Sequence, residues 1–238
     1  MKRLFSVLRG RKGMTLIEMV IGAGLLCVVI GIFSASLRPT AEITRRTQEL
    51  NSAEVIADDL LETIRGEVEN ATGYVKCYAS SDKADVIGAS GAASGAAIEF
   101  QNESGFTVLL SADGCPETDI YTASSTAPTK MNAIDSGYLT ERYYRHDRSN
   151  GYDFADAAGK PIARALALVY PKGFYMGLQA DLSFEVNEGT HTVTATADIY
   201  RVSGTDRTKL FSDSQVIDLR YKVPLQSAVT AKQKTADG

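Results

Sequence analysis

Apolar and polar positions follow three successive patterns along this chain, and each pattern predicts a different element. From Met14 to Leu37 nearly every residue is apolar or small and only Glu18 is ionisable. At 1.5 Å per residue that run makes a helix of about 36 Å, long enough to cross a bilayer. Beyond Pro39, Ile43, Leu50, Ala53, Ala57, Leu60, Ile64, Val68 and Ala71 recur near helical spacing, with Arg45, Arg46, Glu49, Glu54, Asp58, Glu62 and Glu67 mostly between them. This is the signature of an amphipathic helix, and Asn70 to Gly73 supply its stop. Pro39 removes one backbone donor without having to end the helix, so residues 14 to 71 are expected to form one rod of roughly 87 Å.

The third pattern is strand-like. Residues 79 to 97 are nearly all small or polar and predict a loop. Ala97 to Phe100 and Phe106 to Leu110 flank the turn residues Asn102 to Gly105, a hairpin. Residues 111 to 137 are turn-rich, Tyr138 to Tyr144 reads as an edge strand, and Ile162 to Tyr170 fits either a strand or a short helix. The alternation is clearest at Ala180, Leu182, Phe184 and Val186 and again at Val193, Ala195, Ala197 and Ile199, on either side of Asn187-Glu188-Gly189. That is a hairpin with one buried face. A third strand is expected over Val216 to Val223, and residues 224 to 238, lacking apolar content, are expected to be disordered. A long helix laid on an antiparallel sheet is an α+β arrangement.

Charge adds a direction. Lys2, Arg3, Arg9, Arg11 and Lys12 precede the apolar run with no acid among them, which keeps that end in the cytoplasm and puts residues after Arg38 outside. The whole chain has 25 basic and 29 acidic residues, net −4, so the part beyond the basic segment is strongly acidic. An acidic exterior has no footprint for nucleic acid, which is held by basic surface. Cys27 sits in mid-run as a small packing residue. With Gly24, Gly31 and Ala35 it forms a face of small side chains that lets helices approach closely. Cys77 and Cys115 fall in the exported part and are expected to form a disulfide that stabilises by a few kcal/mol, the alternative being two free thiols in a reducing setting.

Glu18 is the anomaly. A carboxylate at hydrocarbon depth costs about 2.5 to 3.5 kcal/mol and calls for a cationic partner. The stretch Gly13-Met14-Thr15-Leu16-Ile17-Glu18 resembles the cleavage and methylation motif of type IV pilins and type II secretion pseudopilins. The resemblance implies a leader of residues 1–13, cut between Gly13 and Met14 by a prepilin peptidase that methylates the new amino terminus. It implies a pairing of Glu18 with the Met14 amine of a neighbouring subunit, which offsets the burial of both charges. The partners implied are other subunits, the peptidase, an assembly platform and, before assembly, membrane lipid. Two departures stand out: Met14 replaces the usual Phe, and Ala35 stands where members commonly carry a kinking proline, which leaves Gly31 as a weaker break. The domains implied are a helix in membrane or filament core over 14–38, its amphipathic continuation over 39–72, a β-rich head over 73–223 and a tail over 224–238. A large head suits a minor subunit.

Other chemistry is sparse. His146 and His191 stand without ligands at metal-binding spacing, and Asp147, Asp153 and Asp156 do not follow a calcium loop. Tyr143, Tyr144, Tyr152, Tyr170 and Tyr175 are expected in the core or, alternatively, in a contact patch. The expectation is a structural protein without enzymatic activity or cofactor. A membrane-anchored binding module that never polymerises shares the same topology, and an ordinary secretory signal shares the basic-then-apolar pattern but not Glu18.

Overall fold

The computed structural model describes residues 15–84, 91–121, 127–147, 151–152 and 162–225. One helix, α1 (Leu16–Val68), carries 53 residues and runs through Pro39; the missing N–H there removes one bond of the ladder, which the turns on either side tolerate. It ends just before the expected stop, where Asn70 Nδ2 donates to the Gly66 carbonyl at 3.0 Å. The chain falls into two compact units, Met1–Gln48 and Glu49–Gly238. The first contains the apolar part of α1. The second contains the rest of α1 and all the strands among the described residues.

Those strands are β1 (Val75–Tyr78), β2 (Ser94–Gly95), β3 (Ala97–Gln101), β4 (Phe106–Ser111), β5 (Thr118–Ile120) and β6 (Thr129–Met131). There follow β7 (Thr140–Asp147), β8 (Gly151–Tyr152), β9 (Ala165–Leu168), β10 (Leu178–Asn187), β11 (Thr192–Ser203) and β12 (Asp206–Asp218). One antiparallel sheet runs β1-β3-β4-β7, with β8 and β9 both on the far edge of β7. A second runs β12-β11-β10-β2, and β5 with β6 forms a small hairpin. Where β1 and β2 meet, a Cβ on Gly95 would lie 1.9 Å from the Tyr78 carbonyl oxygen, so only glycine lets the two backbones come this close.

The core lies between α1 and both sheets. Ala53, Ile56, Ala57, Leu60, Ile64 and Val68 of α1 join Val75, Cys77, Ile98, Phe100, Val108 and Leu110 of the first sheet. Leu182, Phe184, Val193, Ala195, Ala197 and Ile199 of the second sheet complete it. Full burial of each Leu, Ile or Phe here contributes about 1.5 to 3 kcal/mol, which is how an amphipathic stripe becomes a fixed helix. The opposite face of the first sheet is also covered, by a smaller cluster of Tyr78, Ala97, Leu109, Tyr144 and Ala163. On that face Glu99, fully buried, accepts from the hydroxyls of Tyr74 at 2.6 Å and Tyr78 at 2.9 Å and sits opposite the equally buried Lys76.

Several expectations need correction. Tyr138 to Tyr144 is no edge: β7 is flanked by β4 and β9, and two of its charged residues, Glu141 and Arg142, are half-buried with hydrogen-bond partners. Arg142 donates to Ser81 Oγ at 2.9 Å, and Glu141 accepts from the Tyr143 hydroxyl at 2.5 Å. The third strand of the second sheet is Asp206–Asp218, in place of Val216 to Val223. Gly204 at φ 63 makes so tight a turn that pairing resumes at Ser203 opposite Asp206. Residues 219–225 then leave the sheet; Arg220 N–H donates to the Glu69 carbonyl at 3.0 Å, Val75 N–H to that of Pro224 at 3.1 Å, and Val223 and Leu225 enter the core. Leu225 therefore belongs to the head and not to a disordered tail; residues 226–238 lie outside the described residues. The 79–97 loop contributes β2, and 111–137 contributes β5 and β6.

Candidate functional site

The candidate site is the amino-terminal turn of α1. Thr15 precedes the first helical residue and Glu18 follows three positions later, the spacing at which a hydroxyl and a carboxylate can each reach back to the other's backbone. The Thr15 N–H donates to Glu18 Oε2 at 2.9 Å and the Thr15 hydroxyl donates to the same oxygen at 3.0 Å. The Glu18 N–H donates to Thr15 Oγ1 at 3.4 Å. Two donors that the helix end would leave orphaned are thereby satisfied, and the carboxylate lies at the positive end of the helix dipole. Oε1 accepts no hydrogen bond among the described residues, so one oxygen of Glu18 is held and the other is available.

The surroundings are apolar. Leu16 is 83% exposed and Phe33 69%, and Ile17, Met19, Val20, Ile21, Leu25 and Leu26 are exposed as well. Consecutive apolar positions cover every side of the helix, a pattern found where a helix is surrounded by lipid or by other helices. By length and composition it is long and apolar enough to cross a membrane. Gly24 and Gly31 are open, since a Cβ on either would meet nothing within 4 Å; Cys27 is exposed, and Ala35 lies on the same helix. Gly13 and Met14 lie outside the described residues.

The head does not form the bridge between Cys77 and Cys115; both are free and buried. Cys77 faces the main core from β1, opposite Ile98, whereas Cys115 lies beyond the end of β4, bridged to Ile134, with its thiol on the Pro116 carbonyl at 3.2 Å. The register of β1 directs one sulfur toward α1, while the other sits beside a shallow pocket lined by Ser81, Asp82, Asp113 and Ser136. Burial pushes the Cys77 thiol up to about 12. It also raises that of Cys115, with Arg142 partly opposing, and thiols that stay protonated are poor nucleophiles.

His191 occupies a left-handed turn at φ 60, with Nε2 3.2 Å from the Val223 N–H nitrogen and 3.2 Å from the Tyr221 carbonyl oxygen. His146 lies on β7 opposite Tyr152, and Asp147 ends that strand; Asp153 and Asp156 lie outside the described residues. Tyr144 and Tyr175 are buried and Tyr143 and Tyr170 half-buried, Tyr170 reaching Thr63 of α1 at 2.7 Å. A shallow acidic depression lies between α1 and β12, lined by Asp58, Asp59, Glu62 and Asp213. Sequence reasoning missed two things: the role of Thr15, which the Thr-x-x-Glu spacing already signals, and the buried Lys76–Glu99 pairing, which no local pattern announces. Compared with family models, curated proteins and solved structures, the chain matches none of them.

Proposed function

We propose that this chain is a structural, non-enzymatic subunit of a type IV pilin-like filament, a minor one. It is made with a basic leader that a prepilin peptidase removes between Gly13 and Met14. The observation that carries the reading is the start of α1: over residues 16–34 it is apolar on all sides, and its single acid, Glu18, is fixed in the first turn with one oxygen left over. In lipid alone that carboxylate is a cost. In a filament it has a use, because the Met14 ammonium released by cleavage on a neighbouring copy is a counter-ion at the right depth, and pairing offsets the desolvation of both. Before assembly the same helix anchors the subunit in the membrane, leader inside and head outside; afterwards lipid is exchanged for neighbouring helices, and the open face at Gly24, Cys27 and Gly31 lets them approach closely.

Processing tests this reading. Co-expressed with a prepilin peptidase, the chain is expected to lose its first 13 residues and to carry an N-methylated Met14. Gly13→Val blocks the cut, because a branched side chain crowds the scissile bond. Intact mass spectrometry that finds only the uncut chain under these conditions overturns the assignment.

A further inference from the structure

The head contains two Asn-x-Ser/Thr triplets, Asn70-Ala71-Thr72 and Asn102-Glu103-Ser104, and the structure treats them oppositely. Transfer of a glycan to such a triplet requires a free side-chain amide and a free hydroxyl two residues later, on a surface turn. At the first triplet neither is free. Asn70 Nδ2 donates to the Gly66 carbonyl at 3.0 Å with its Oδ1 buried, and the Thr72 hydroxyl donates to the Asn102 carbonyl at 2.9 Å.

The second triplet is the tip of the β3–β4 hairpin. The Gly105 N–H closes the turn on the Asn102 carbonyl at 3.0 Å, and Gly105 at φ 80 supplies the left-handed residue such a loop needs. Asn102 Oδ1 accepts from the N–H groups of Ser104 at 3.1 Å and Phe106 at 3.0 Å. The carbonyl side of the amide is therefore fixed by the backbone, while Nδ2 and the Ser104 hydroxyl have no partner among the described residues. Glu103 and Ser104 are exposed. The hairpin places this half-buried asparagine at the end of two paired strands.

We propose that Asn102 is an N-glycosylation site and that Asn70 is not. In the reaction Asn102 Nδ2 bonds to the anomeric carbon of an oligosaccharide carried on a lipid pyrophosphate. The anomeric carbon–oxygen bond breaks, the lipid pyrophosphate leaves, and the amide proton passes to a base of the transferase. That such a donor meets the head in the cell rests on the outward topology proposed above; the geometry of the acceptor does not.

The test is therefore made on the purified, folded full chain in detergent. It uses a single-subunit oligosaccharyltransferase that accepts plain Asn-x-Ser/Thr triplets, a lipid-pyrophosphate-linked oligosaccharide, and an acceptor peptide as positive control. The expected result is a mass increase of one glycan, mapped to Asn102, retained in Asn70→Gln and lost in both Asn102→Gln and Ser104→Ala, the latter leaving the Asn102 side chain in place. An unmodified chain while the peptide is consumed, or a glycan on Asn70, overturns the proposal and leaves the filament reading untouched. A head found on the cytoplasmic side by protease protection would overturn the topology and leave the acceptor geometry untouched.

Discussion

Thr15 and Glu18 finish a helix end together, and in the proposed filament reading the same two residues set an assembly contact. The cap costs about 1 kcal/mol to remove in water, but in the filament reading its larger effect is positional, because Thr15 holds one Glu18 oxygen and leaves the other to meet an amine. Thr15→Val is therefore expected to leave cleavage at Gly13 intact and to lower incorporation into filaments, with Thr15→Ser restoring it, as read by quantitative blotting of sheared filaments. Equal incorporation of Thr15→Val would show that the hydroxyl only finishes the helix. The cap is legible in the Thr-x-x-Glu spacing itself, because both of its partners lie within one helical turn. Cys77 and Cys115 were not legible in the same way: sequence reports that two thiols exist but not where they point, and the register of β1 directs Cys77 into the core.

Elements with a single buried face were the easiest to read. In β10 and β11 buried and part-exposed residues alternate over Leu178–Asn187 and most of Thr192–Ser203, and the alternation was plain in the sequence. Strand β1 (Val75–Tyr78) is buried along its whole length with Lys76 among its residues, so neither periodicity nor composition marks it. The same difficulty hid β2, whose two residues are recognisable only by what they touch. At Gly95 a new Cβ would meet the Tyr78 carbonyl oxygen at 1.9 Å, whereas one at Gly173 would meet nothing within 4 Å. Gly95→Ala is expected to destabilise by about 3 kcal/mol and Gly173→Ala by less than about 0.5 kcal/mol in urea unfolding of the detergent-solubilised chain; equal midpoints would contradict this account of how the two sheets join. Charge at the contact of α1 with β7 gives a second element-scale prediction. Burial, and then the charge of Glu141, raise Glu67 above the usual carboxylate range. Burial raises Glu141 too, against the hydrogen bond from Tyr143. Raised folded-state values favour the protonated forms, so this contribution to stability is fully present below the ordinary carboxylate pKa and is lost as pH rises through the folded values. Glu67 is half exposed, which limits the effect to about 0.5 kcal/mol after solvent screening. Glu67→Gln should raise the thermal midpoint at pH 7 and leave it nearly unchanged at pH 4; a larger gain at pH 4 would reverse the sign of the argument.

At the scale of the molecule the α+β class was legible because two periods, one helical and one of strands, occupy different parts of the chain. The joining of two sheets around one helix was not, since it depends on β1 and β2, the two strands without a local signal, and on the segment 219–225 that carries Val223 and Leu225 into the core. In the filament reading, assembly turns on Glu18, an acid that an anchor has no reason to keep and a filament subunit needs. The most direct test is fractionation of sheared filaments against membranes in cells supplied with a prepilin peptidase and an assembly machinery, comparing the wild-type chain with Glu18→Ala. Cleaved wild-type protein is expected in the filament fraction and cleaved Glu18→Ala only in the membranes. Glu18→Ala recovered in filaments at the wild-type level would contradict the filament reading.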